Sequence, residues 1–104
     1  MGNSGAEMKM GTQVVYIPNH ANGNIQHKDV EFGFVTGRSP VLGKLLGREE
    51  GCYCRYWSKE LPNKPRTLSC SELTPARNLI EHSILPQSVI YSWMEKLGYR
   101  RESR

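Results

Sequence analysis

Residues 31–38 read Glu31-Phe32-Gly33-Phe34-Val35-Thr36-Gly37-Arg38, with Val30 just before them. In an extended chain Val30, Phe32, Phe34 and Thr36 share one side, and Glu31, Gly33, Val35 and Gly37 share the other. That period of two predicts a strand over Val30–Arg38. Apolar groups stand on both sides, so both sides call for cover, as in a strongly curved strand of a small closed sheet. Gly33 in the interior predicts a bend or the close approach of another backbone.

The neighbouring segments follow the same grammar. Thr12–Ile17 is dense in valine and tyrosine and stops at Pro18, a first strand. Asn19–Asp29 contains Asn19-His20-Ala21-Asn22-Gly23-Asn24, a loop signal, because Asn and Gly accept positive φ. Ser39–Gly51 has apolar pairs interrupted by Gly43 and Gly47 and reads as a long hairpin loop with a short helical turn. Cys52–Ser58 is a third strand, with Cys52, Cys54 and Tyr56 on one face and Tyr53, Arg55 and Trp57 on the other. Pro62-Asn63 makes the next turn, and Arg66–Ser69 offers a short fourth strand. Ser69-x-x-Glu72 has the form of a capping box, yet Pro75 forbids much helix behind it, which leaves one short turn. Asn78–Glu81 is a short fifth strand.

The last element is helical. Pro86 suits the first helical position, and Val89, Ile90, Trp93, Met94 and Leu97 form one apolar stripe at a period near 3.6. Lys96 in the last turn and Gly98 just beyond match the preferences of a helix C-terminus. The predicted helix is Pro86–Leu97. At three turns it is too short to stand alone, so its stripe has to dock on the sheet or on another molecule.

The chain has 104 residues, which predicts one domain. The absence of a long apolar run excludes a transmembrane helix, and Met1–Thr12 lacks the apolar stretch of a secretory signal. Met1-Gly2 opens like a myristoylation site, but Ala6 stands where Ser or Thr is required. Three cysteines, an odd count, argue for a reducing, cytoplasmic setting over a disulfide scaffold. The net charge is +4, and residues 32–70 hold seven bases against three acids. A local basic surface raises the prospect of a polyanionic partner, although a few net charges also serve solubility.

The order of strand, loop, glycine-containing strand, long loop, strand, tight turn, strand, short turn, strand resembles small SH3-like barrels. The likeness is carried by Gly11-Thr12-Gln13-Val14-Val15, Glu31-Phe32-Gly33-Phe34-Val35, Cys54-Arg55-Tyr56-Trp57 and Leu73-Thr74-Pro75-Ala76-Arg77-Asn78-Leu79. These look like KOW and Tudor-type barrels, and Val15–Ile80 also resembles small uncharacterised proteins of phages and prophages. The resemblance covers about two thirds of the chain. It implies a mostly β fold, a barrel of five strands plus one C-terminal α-helix. The expected organisation is a disordered leader (1–11), the barrel (12–82), a helix packed on it (83–98) and a basic tail (99–104). KOW and Tudor-type families bind RNA, ribosomal components, DNA-bound machinery or peptide side chains, and a fold likeness does not choose among them. No aromatic cage can be assembled from the loops, which tells against reading of methylated side chains.

Three chemistries compete for the remaining residues. Cys52-x-Cys54 with distant Cys70 lacks the knuckle spacing of a zinc site, and the fourth ligand would have to be His20, His27 or His82. Buried cysteines that behave as small hydrophobes are the plainer expectation, so no metal and no cofactor is assigned. His27-x-Asp29 could orient an imidazole beside a nucleophilic cysteine, but nothing in the spacing makes the groups converge, and no catalytic residue is assigned. Nucleic-acid binding is the sharper reading: Arg55 and Trp57, with Lys59, Lys64 and Arg66 around the adjoining turn, combine a stacking surface with phosphate-neutralising charge. It requires the third strand to turn Trp57 outward. The alternative is a protein-interaction module, an adaptor or host-factor inhibitor of phage or bacterial origin. Its interface would be the helix stripe Val89, Ile90, Trp93, Met94 and Leu97, whose plainer role is intramolecular packing. The expectation is a non-catalytic binder of RNA, single-stranded nucleic acid or a protein partner, away from membranes, as a monomer or weak homodimer.

Overall fold

Val14 and Val15 are neighbours, and each is fully buried in a different cluster, so the first strand is covered on both faces. The computed structural model that shows this describes residues 8–38 and 51–99. Five strands, β1 (Gln13–Tyr16), β2 (Glu31–Arg38), β3 (Gly51–Tyr56), β4 (Glu72–Pro75) and β5 (Leu79–Glu81), form one antiparallel sheet in the order β4-β3-β2-β1-β5. A 3-10 turn, Ala76–Asn78, links β4 to β5, and a single helix, α1 (Gln87–Leu97), follows. Among the described residues the sheet is not closed, and β4 and β5 are its edges.

The period-two reading of β2 holds. Val35 joins Val14, Cys52, Cys54, Tyr56 and Leu79 on one face, while Phe34 lies on the other beneath α1. Gly33 is required by close approach. A Cβ there would stand 2.2 Å from the Arg55 carbonyl oxygen and 2.7 Å from the Tyr56 ring. β2 and β3 shift register between Val35 and Gly37, a bulge that turns Thr36 toward Ser71, with the two hydroxyls 2.8 Å apart.

The helix is seated by a polar latch. Gln13 is almost fully buried, yet its amide is satisfied. Its Nε2 donates to the Leu85 carbonyl (2.7 Å) and to Gln87 Oε1 (3.1 Å), and its Oε1 accepts from the Ile84 and Leu85 backbone amides. Gln87 Nε2 in turn donates to the Gly11 carbonyl at 2.7 Å. These bonds fix where the chain leaves β5 and where α1 begins. Ile90 and Met94 then bury against Phe34, each such side chain contributing about 1.5–3 kcal/mol. Gly98, at φ 87°, ends the helix as expected: its amide and that of Tyr99 donate back to the Glu95 and Met94 carbonyls.

Three expectations need correction. The fourth strand is Glu72–Pro75, not Arg66–Ser69. Ser69 breaks the ladder, because its Oγ, in place of a backbone carbonyl, accepts the Tyr56 amide, and Leu68 forms only an isolated bridge with Trp57. The Ser69-x-x-Glu72 turn is accordingly replaced by extended chain, and the short turn falls at Ala76–Asn78. Part of the expected leader is structural: Met8 is buried in the core, and the Gly11 amide donates to the Val35 carbonyl at 2.8 Å. Residues 1–7, the long loop over 39–50 and the tail from 100 onward lie outside the described residues.

Gly33→Ala should cost about 3 kcal/mol or more, since the obstacle is backbone that only a shift of β3 can clear. Urea unfolding of the variant against the parent chain measures it, and a loss under about 1 kcal/mol would show that the strand yields easily.

Candidate functional site

The third strand carries the residues on which the nucleic-acid reading rests. Its alternation is as expected: Cys52, Cys54 and Tyr56 are buried in the cluster shared with Val14 and Val35. Tyr53, Arg55 and Trp57 lie on the other face. At its Trp57 end that face is not open, because Trp93 of α1 packs there, while Tyr53 stays exposed. The Trp57 ring lies 5.7 Å from Trp93 of the helix, in the cluster that contains Phe34, Ile90 and Met94. Arg55 is half-buried and already engaged: its Nε donates to the Tyr99 hydroxyl (3.1 Å), its Nη1 donates to the Ser69 carbonyl (3.0 Å), and the guanidinium stands 5.6 Å from the Tyr99 ring centre. The open, outward-looking Trp57 that the nucleic-acid reading required is corrected: Trp57 lies on the face opposite Cys54 and Tyr56, but it is half-buried in the helix cluster, because the helix stripe needed the same surface.

Two candidate sites therefore cover each other. Ile90 and Met94, offered as interface residues, are buried by their own sheet; Val89 and Trp93 are half-buried, and only Leu97 remains exposed. A free apolar stripe for a partner protein is corrected to an internal contact.

The cationic residues beyond β3 have a different fate. The chain leaves Trp57 into a hairpin held by paired bonds between Ser58 and Thr67 and between Leu61 and Lys64. Lys59 and Lys64 are exposed on it. Arg66 Nη1 lies 3.5 Å from Glu60 Oε1, a partly exposed pair worth little. The Arg66 Nε is covered and finds no hydrogen-bond acceptor among the described residues. The structure thus keeps Lys59, Lys64 and Arg66 on one hairpin and sets Arg55 and Trp57 at its root.

Among the described residues the three cysteines do not gather into one ligand cluster. Cys52 and Cys54 are buried and Cys70 is exposed. Burial pushes the Cys54 thiol up to about 12. Tyr56 is raised too, mainly by burial and then by the neighbouring Cys54, although its hydroxyl keeps a 2.6 Å bond with Thr74 Oγ1. His82 sits apart from the other histidines, its ring 6.0 Å from Phe32. His20, His27 and Asp29 do come together, in the loop between β1 and β2.

Sequence reasoning missed Gln13, Met8 and Tyr99. Gln13 alone left a trace, as a polar residue inside an apolar strand pattern. Comparison with protein-family models, curated proteins and solved structures finds no match to this chain.

Burial of a neutral thiol and a neutral phenol makes stability depend on alkaline pH. Both groups hold their protons in the folded state above the pH at which the unfolded chain releases them. Stability should be flat through neutrality and fall as pH rises past about 9, by up to about 1.4 kcal/mol per pH unit for each group. Urea midpoints between pH 7 and 11 measure the fall, and an unchanged midpoint would contradict the buried placement of Cys54 and Tyr56.

Proposed function

We propose that this chain is a non-catalytic binding module, its sheet an SH3-like barrel, and that it holds RNA or single-stranded nucleic acid along the cationic hairpin from Lys59 to Arg66. The strand order β4-β3-β2-β1-β5 and the 3-10 turn between β4 and β5 support the barrel reading. The neutral, buried Cys54 supports a binding role over a thiol-based reaction.

The observation that carries the ligand reading is Arg66. Its Nη1 keeps a partly exposed ion pair with Glu60 at 3.5 Å, and the exposed Lys59 and Lys64 stand on the same hairpin. An arriving phosphate can displace Glu60 from the Nη side of the guanidinium, with Lys59 and Lys64 neutralising its neighbours. Arg55 and Trp57 brace the root of the hairpin in this reading and do not touch bases. Recognition is then electrostatic and indifferent to sequence.

A second reading rests on Tyr53 and Leu73, which pair across β3 and β4 and are both exposed. β4 is an edge strand, and an extended segment of a partner protein could add to it, with this apolar pair giving side-chain grip.

Anisotropy titration of a fluorescent single-stranded RNA against rising salt separates the two. Three neutralised phosphates give a slope of log affinity on log salt of about −2, and Lys59→Glu with Lys64→Glu should flatten it and weaken binding by about tenfold or more at low salt. Absence of binding at low salt, or binding that the double variant leaves unchanged, removes the nucleic-acid reading.

A further inference from the structure

The loop between β1 and β2 brings two imidazoles and a carboxylate to one point. His20 Nε2 lies 2.7 Å from Asp29 Oδ2, and His27 Nδ1 lies 4.0 Å from the same oxygen. The three ligating atoms fall within 4.8 Å of one another. We propose that His20, His27 and Asp29 form a binding site for one borderline divalent cation of the zinc class, with its remaining coordination positions open to solvent or to a partner's side chain.

The loop is built to hold this geometry. Asn19–Ala21 forms a 3-10 turn, and Ala21 is buried against Val15 and Ile17. Asn22 and Gly23 both take positive φ and reverse the chain. Successive backbone amides then donate back along it: Asn24 to Ala21, His27 to Asn24 and Val30 to His27. The Asn78 side chain fastens the loop's start from outside, donating to the Ile17 carbonyl and to Asn19 Oδ1. A loop fixed in this way loses little further entropy when it takes an ion.

The donor set fits the ion class. Two imidazoles with one carboxylate suit zinc and its neighbours, and three protein ligands leave room for a fourth. Asp29 offers a carboxylate oxygen already within 2.7 Å of His20 Nε2. The cation would take the place of the proton shared by His20 and Asp29. At His27 it would compete with the Asp29 backbone amide, which now donates to Nδ1 at 3.0 Å. That amide belongs to an exposed residue and can turn to water. Lys28 and Glu31 line the same depression with Tyr16 and bring opposite charges to it.

The untagged full chain should be titrated with Zn²⁺ by calorimetry and with Co²⁺ by visible absorption, with backbone amide shifts recorded in parallel. One ion per chain is expected, with shifts centred on Asn19–Val30. His20→Ala and Asp29→Asn should each weaken binding by about tenfold or more, a scale on which even outer partners of metal ligands act. Cys70→Ser should leave it unchanged. The proposal is overturned by an absence of binding, by binding that survives both loop variants, or by binding lost in Cys70→Ser.

Discussion

Phe34 lies under Ile90 and Met94, and that contact decides what the rest of the surface can do. A strand apolar on both faces cannot leave either one wet without losing about 25 cal/mol for each Å² exposed. One face is answered by β1, β3 and β5 through Val14, Cys54, Tyr56 and Leu79. The other is answered at Phe34 by α1, through Ile90 and Met94. Gln13 sets the angle at which the helix arrives, because its buried amide is satisfied only when Leu85 and Gln87 are in place. Removing that match would leave the buried Gln13 amide unpaired, a loss of about 1–3 kcal/mol.

From this cover follows the division of labour on the molecule. The Arg55–Trp57 part of the outer face of β3 becomes structural: Trp57 meets Trp93 at a tilt, and Arg55 reaches Tyr99 and Ser69. Surface chemistry is pushed to what the helix does not reach, the cationic hairpin at one end and the histidine loop between β1 and β2. Both are short loops held by backbone bonds, the usual arrangement by which a rigid sheet presents ligand-binding groups.

Much of the fold was legible because it rests on local pattern. The alternation in β2 and β3, the close approach at Gly33, the helix stripe and the Gly98 terminus can each be read from a few adjacent residues. What could not be read depends on distance in the chain. Nothing near Ser69 announces that its side chain will interrupt the β3 ladder, so the fourth strand was placed too early. The fate of Trp57 was undecidable locally, since its exposure depends on a helix more than thirty residues away. The same long-range fact undid the site: strand face and helix stripe were each plausible alone, and each consumed the other. The meeting of His20 with Asp29 was hidden for a local reason: it depends on the loop's positive-φ reversal at Asn22 and Gly23, which spacing alone does not give.

The account stands on the helix covering its own sheet. Nuclear Overhauser contacts between the Trp57 and Trp93 rings, and from the Met94 methyl to the Phe34 ring, test this directly when measured in a mixture of labelled and unlabelled chains. The contacts should appear within single chains and keep their intensity on dilution. Contacts that arise only between labelled and unlabelled chains, or none at all, would mean that the helix serves another molecule and that the outer face of β3 is open after all.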